Sequence, residues 1–151
     1  MHWHLQSFQE LTNEALYAIM KARQEVFIIE QNCNYLDADG KDIYCLHLTL
    51  KIDNQIAAYA RIVPAGISYA EVSIGRVLTA KNFRRKNYGI ELMHKAIAYA
   101  TQLYGNVPIK IGAQQYLKAF YESFGFVQQG EPYLEDDIPH IYMLRQADAI
   151  N

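Results

Sequence analysis

Runs in which apolar and polar residues alternate, and others in which apolar residues recur at helical spacing, divide this chain into a short series of elements. His2 to Phe8 reads as a first strand, and Thr12 is placed as an N-cap before Leu16, Ile19, Met20, Arg23 and Phe27, which fall on one helix face. Gln31 to Tyr44 loses the period and reads as a polar loop. Leu46, Leu48, Leu50 and Ile52 then alternate with His47, Thr49 and Lys51; Asp53-Asn54 supplies turn chemistry, and Ile56, Ala58, Ala60 and Ile62 resume the alternation, which predicts a hairpin. Val72 to Thr79 predicts a further strand. Leu92, Met93, Ala96, Ile97, Ala100 and Leu103 form the core-facing stripe of a long helix that stops near Gly105. Val107, Ile109, Ile111 and Ala113 alternate again, a short helix fits Tyr116 to Phe124 with Gly125 ending it, and strands from Phe126 and from His140 to Arg145 complete the chain. The order β, α, β, β, β, α, β, α, β, β implies a mixed α/β (α+β) fold around one sheet.

Composition narrows the class. With 151 residues and 51% hydrophobic content, the chain suits one well-cored domain, residues 1–151, and is too short for two comfortable ones. A net charge of -2 and a pI near 6.2 give no whole-surface case for binding nucleic acid. Cys33 and Cys45 have no flanking Cys or His at ligand spacing, so neither a disulfide framework nor a zinc site is implied, and they read as thiols in a reducing compartment. Met1-His2-Trp3-His4 lacks the character of a signal peptide, and no apolar run approaches the roughly 18 residues of a membrane span. The expectation is a soluble, cytoplasmic protein with no membrane partner. Its twelve tyrosines are expected mostly at the edge of the core with wet hydroxyls.

The candidate chemistry begins between the Val72 to Thr79 strand and the long helix. Lys81, Arg84, Arg85 and Lys86 crowd into one turn, and a helix opens directly after it at Tyr88-Gly89-Ile90. Free backbone N–H groups and the positive end of the helix dipole make such a place an anion cradle, which the basic side chains strengthen. It is not a nucleotide-hydrolysing P-loop, since no Lys-Ser/Thr ends a glycine-rich turn, and with Gly89 alone it is not a dinucleotide fingerprint. A phosphorylated cofactor of another kind is the expected guest. Asp37-Ala38-Asp39-Gly40-Lys41-Asp42 has the wrong glycine position for a calcium loop, and Leu48 stands where the bidentate Glu is required. No metal is expected.

Beyond the long helix and the strand after it comes Ala119-Phe120-Tyr121-Glu122-Ser123-Phe124-Gly125-Phe126. Strand, basic turn, helix, strand and then Phe-Tyr-Glu-Ser-Phe-Gly-Phe resemble the GNAT superfamily of acetyl-CoA-dependent N-acetyltransferases over essentially the whole chain. Gln31-Asn32-Cys33, Gly75-Arg76-Val77, Gly112-Ala113-Gln114 and Asp137-Ile138-Pro139-His140 resemble its ElaA-type branch more narrowly. The resemblance implies a central, mostly antiparallel twisted sheet of about six to seven strands flanked by helices. It implies acetyl-CoA as co-substrate, a small-molecule or peptide amine as acceptor, and a possible homodimer. The family's turn, Arg/Gln-x-x-Gly-x-Gly/Ala, falls on Arg84 to Gly89, with Asn87 in place of the first glycine; Asn tolerates the left-handed backbone region better than other side chains. By this resemblance the amides from Arg85 to Ile90, including Lys86, Asn87, Tyr88 and Gly89, hold the pyrophosphate of CoA. The backbone of Val77, Leu78 and Thr79 pairs with the pantetheine arm, and Gln114 touches the cofactor.

Direct transfer requires a neutral amine, donors for the oxyanion and an acid for the departing thiolate. Tyr121 falls on the family's acid, and an N–H near Val77 or Leu78 is the expected oxyanion donor. The position of one common base is Ile109 here, which accepts no proton. Glu71 is the leading remaining carboxylate, with His47 and His140 as alternatives that also enter as acceptor-binding residues beside Arg76. Glu131, Glu135, Asp136 and Asp137, and separately Asp37, Asp39 and Asp42, would attract a cationic amine if they line its channel. Arg61 and Arg76 would bind an acceptor carboxylate or pair with these acids. A non-catalytic acyl-CoA-binding or sensing domain is the competing reading, and Ile109 keeps it open. A nucleic-acid binder is disfavoured because the basic cluster is one turn wide and has no aromatic stacking surface.

Overall fold

A computed structural model describes residues 1–149. Thr12 caps the first helix as its side-chain oxygen accepts from the Ala15 N–H at 3.1 Å. The elements run β1 (His2–Ser7), α1 (Asn13–Arg23), β2 (Leu46–Ile52), β3 (Gln55–Val63), β4 (Ser73–Thr79), α2 (Tyr88–Tyr104), β5 (Ile109–Gln114), α3 (Lys118–Glu122), β6 (Phe126–Glu135) and β7 (Ile138–Arg145). This is the order read from the periodicity. After Arg23 the first helix continues as a wider π-turn, Gln24–Glu30, which the sequence pattern did not distinguish.

Two hairpins are closed by two-residue turns whose residues have positive φ: Asp53 and Asn54 at 50° and 61°, and Asp136 and Asp137 at 50° and 63°. Both match the twist of the strands they join, and Asp and Asn enter the left-handed region at low cost. The strands β1-β2-β3-β4 form one antiparallel sheet, and β5-β7-β6 form another. One isolated parallel bridge, Val72 to Ile109, joins them, with the Lys110 N–H donating to the Val72 carbonyl at 2.9 Å. The expectation of one sheet is therefore refined. The seven strands keep one overall sequence of neighbours, but the sheet splits between β4 and β5.

Helices cover both faces. Leu92, Met93, Ala96 and Ala100 of α2 pack on Leu48, Ala58, Ala60 and Ile62, and the same cluster extends to Ile109, Ile111, Ala113, Tyr121 and Phe126. On the opposite face Ile19, Ala22 and Val26 meet Ile56, Tyr59 and Leu78. Ala58 and Ala60, alternate positions of β3 on one face, let α2 approach the strand closely; both are fully buried. Leu92 has no exposed surface, so Leu92→Ala is expected to destabilise the protein by about 2–5 kcal/mol through lost transfer energy and a residual cavity. A urea denaturation series should show a lower midpoint with an unchanged slope.

Candidate active site

Beyond the Val72–Ile109 bridge, β4 and β5 run parallel and diverge, leaving between them a cleft of about 940 Å³. Gly75 to Thr79 form one wall and Ile111 to Gln114 the other. The divergence starts at a bulge in β4. Tyr59 pairs with Leu78 and Arg61 with Gly75, so Arg76 and Val77 together oppose Ala60, and Arg76 has φ 51°. A bulge leaves main-chain groups outside the ladder and bends the strand. Those groups belong to residues that line the cleft.

What holds Arg76 in the left-handed region is a buried charge network fed by the loop before β2. Arg23, fully buried, donates through Nε to Asp37 at 2.8 Å and through Nη1 to Asp42 at 2.7 Å. Arg61 donates to Asp42 at 2.8 Å and to Asp39 at 2.6 Å. Arg76 Nε lies 2.8 Å from Asp37 Oδ1, close enough for strong attraction although the N–H is not aligned, and its Nη2 donates to the Asp37 carbonyl at 3.1 Å. Three guanidinium groups thus meet three carboxylates. Burial alone would push the Asp42 carboxyl up, but hydrogen bonds and charge from Arg23 and then Arg61 hold it below the ordinary carboxylate range. Asp39 is depressed in the same way, chiefly by Arg61 acting against burial. Of the two roles open to Arg61 and Arg76, pairing with these acids is the one the structure adopts.

The cradle lies at the diverging end of β4. Arg85 and Asn87 both have φ 64°, and Asn87 is the residue before α2 with no side chain capping the helix. The first N–H groups of this 17-residue helix therefore have no helical partner and no capping side chain. Gly89 sits against Thr79 Oγ1 and Phe120 Cζ, 3.4 Å and 3.8 Å from where a Cβ would lie. Arg84 does not point into the turn. Its Nε donates to the Thr79 carbonyl at 3.0 Å and its Nη2 pairs with Glu30 at 2.6 Å, so it ties the cradle to the π-turn.

The cleft joins the two faces of the smaller sheet. Ile109, Ile111 and Ala113 of β5 look toward the cluster that contains Tyr121, whereas Gly112 and Gln114 look the other way. Tyr121 is 6% exposed on the first face, between Phe120 and Phe126, and burial, with a smaller effect of Tyr116, pushes its phenol well above the ordinary value. On the second face Gln114 is paired in register with His140 and Gly112 with Tyr142. A Cβ on Gly112 would stand 2.9 Å from the Tyr69 hydroxyl and 3.0 Å from that of Tyr133, so a larger residue there would force both hydroxyls to shift. Tyr121 and His140 both line the cleft.

This chain matches the model of the acetyltransferase (GNAT) domain over residues 38–146. It belongs to the GNAT acetyltransferase family. It is 40% identical over 145 residues to a UPF0039 protein of Synechocystis, covering 95% of this chain and 94% of that one. It is 38% identical over 148 residues to the ElaA protein of Escherichia coli, covering 97% of each. Its structure is similar to the crystal structure of Escherichia coli ElaA, with a TM-score of 0.90, 38% identity and coverage of 97% of this chain and 100% of that one. It is also similar to an acyl-CoA N-acyltransferase from Pseudomonas aeruginosa, with a TM-score of 0.91, 39% identity and coverage of 95% and 98%. Membership supports acyl transfer as the general class of activity, with an acyl-CoA as donor.

Within this GNAT fold, Arg76, Val77, Leu78, Thr79, Arg84, Arg85, Gly89, Gln114, Tyr121 and His140 come together in the cleft. Lys86, Asn87, Tyr88 and Ile90 lie in the turn and first helical residues without lining it. Two more of the residues singled out from the sequence lie outside the cleft lining. Glu71 stands in the bend just before the Val72 bridge, at the closed apex rather than in the opening. His47 is 1% exposed inside the charge network, where Nε2 donates to the Asp42 carbonyl at 2.9 Å and Nδ1 accepts from the Tyr59 hydroxyl at 2.7 Å. Burial, outweighing the Asp42 carbonyl, lowers its pKa and keeps it neutral. Tyr35, Tyr69 and Glu30 also line the cleft, but they come from loops and a helix end without a periodic signal. No helix among the described residues is long and apolar enough to cross a membrane, and no cluster there could hold a metal.

Asp42→Asn leaves Arg23 and Arg61 short of one buried charge, and a loss of about 3–5 kcal/mol is expected. The sign with pH follows from the depressed carboxyl. Its contribution is complete above the unfolded value near 3.8 and disappears as pH falls through the lower folded value. Urea midpoints measured against pH should show wild type losing stability on that acid limb more steeply than the variant.

Proposed function

We propose that this protein transfers an acetyl group from acetyl-CoA to a primary amine by direct attack in a ternary complex. The observation that carries the reading is the continuity of one cleft from an uncapped 17-residue helix N-terminus, past the edge of a bulged strand, to a buried phenol. Amides from Arg85 to Ile90 receive the diphosphate, and the dipole of α2 favours that charge. The free edge of β4 receives the pantetheine arm as an added strand, with Val77 and Leu78 as the main-chain groups nearest the bulge. An N–H there is placed to stabilise the oxyanion that forms as the amine attacks.

Tyr121 acts on the departing sulfur. A phenol held above its ordinary value keeps its proton beside a thiolate of pKa about 8.5, so its contribution is a strong hydrogen bond to the leaving group rather than complete ionisation. Ile109, 1% exposed, contributes packing alone. The free, buried Cys33 and Cys45 fit a reducing cytoplasm.

Tyr121→Phe is expected to lower kcat by about 10² while leaving acetyl-CoA affinity nearly unchanged, because the hydroxyl acts in the transition state. Thiol release with polyamines, amino acids and peptides measures the first, and calorimetry the second. A collapse of affinity instead would mark the tyrosine as structural. Binding of acetyl-CoA with no turnover on any amine would favour the sensing role.

A further inference from the structure

The transfer reading leaves one requirement without a residue. An alkylamine enters at neutral pH as an ammonium and must lose a proton before its nitrogen can attack. Glu71 is at the closed apex, His47 is sealed in the charge network with both ring nitrogens engaged, and Ile109 is inert. Glu30 is paired with Arg84, and Asp39 with Arg61.

His140 differs from all of these. It lies on the cleft wall and is 9% exposed. Its Nδ1 is 2.7 Å from the Ile138 carbonyl, which can only accept, so Nδ1 carries the hydrogen and the Nε2 lone pair is free in the neutral ring. Nε2 faces Glu135 Oε2 at 3.5 Å, so a proton arriving on Nε2 finds a carboxylate within ion-pair distance. The remaining neighbours are Tyr133 of β6, whose ring lies 5.8 Å away, and Gln114 of β5, in register with it. Tyr142 follows on the same face of β7 with the Lys110 ammonium over its ring at 4.8 Å. Burial pushes Tyr69 up to about 12 and Tyr133 higher still, so these phenols stay neutral around the imidazole.

Resting on the acyl-transfer reading, we infer that His140, backed by Glu135, takes the proton from an alkylammonium acceptor entering on the sheet face opposite Tyr121. The N–H bond of the ammonium breaks and its proton passes to Nε2. The freed lone pair forms the C–N bond to the thioester carbon, and the C–S bond breaks with its electron pair on sulfur. The second nitrogen proton neutralises that sulfur, which Tyr121 hydrogen-bonds. The products are an amide, a thiol and a protonated His140 that returns its proton to solvent.

The test uses two probes at matched concentration with acetyl-CoA: propylamine, mostly ammonium at pH 7, and hydroxylamine, already neutral there. His140→Asn keeps a donor near the Nδ1 position for the Ile138 carbonyl and removes Nε2. It is expected to cut propylamine acetylation by about 10² while reducing hydroxylamine acetylation far less, with acetyl-CoA binding by calorimetry retained. Glu135→Gln should lower propylamine acetylation by a smaller factor than His140→Asn and leave hydroxylamine acetylation nearly unchanged, because the carboxylate beside Nε2 is lost. Independently of turnover, ¹⁵N chemical shifts should show neutral His140 protonated at Nδ1. Equal losses on both probes, no loss on either, or the opposite tautomer would overturn the assignment. If wild-type protein binds acetyl-CoA and acetylates neither probe, the transfer reading itself fails, which is a different result.

Discussion

The parallel contact between Val72 and Ile109 is the constraint on which the site depends, because the sheet is continuous at that bridge and open beyond it. Had β5 continued to pair with β4, Gly75 to Thr79 and Ile111 to Gln114 would have satisfied one another, and no cleft would lie between them. The bulge at Arg76 and Val77 removes that outcome by bending β4 away. Exposed strand edges invite unwanted pairing in most proteins. Here the edges face each other across the cleft, and in the proposed function that liability serves as the binding surface for the thioester tail.

Keeping that bend has an electrostatic cost and an electrostatic remedy. A non-glycine residue in the left-handed region costs of order 1–3 kcal/mol. Arg76 is kept there by Asp37, whose other oxygen holds the fully buried Arg23 of α1. Arg61 and Asp42 link the same network to β3 and to the loop before β2. Balanced charges make the burial tolerable, while removal of any one member strands its partners in a poorly solvated site. Helix, loop and bulge are therefore set together, and of the acidic residues that a sequence reading offers to a cationic acceptor, Asp37, Asp39 and Asp42 are consumed in positioning the strand.

Much of the fold was legible because its periods are strong. The Thr12 cap, the Asp53-Asn54 turn and the α2 stripe each follow from local chemistry, and Asn87 entered the left-handed region that its side chain tolerates. The location of the split was not legible: an interruption between parallel strands depends on pairing across Val72 and Ile109, and neither segment carries a mark of it. The bulge was hidden for the same reason, since Arg76 reads as an ordinary strand residue. The basic turn and Tyr121 were each read from a short local motif, and Arg84, Arg85, Gly89 and Tyr121 line one cleft. The direction of His47, His140 and Glu71 depended on which sheet face and which end of the cleft each reached, and alternation alone could not decide among them.

The central claim is that one ligand lies along the cradle, the β4 edge and the opening toward β5. Amide chemical shifts of ¹⁵N-labelled protein titrated with coenzyme A test it most directly. The account predicts the largest changes from Arg85 to Ile90 and from Arg76 to Thr79, with smaller ones from Gly112 to Gln114. Changes confined to other surfaces, or none at saturating coenzyme A, would contradict it.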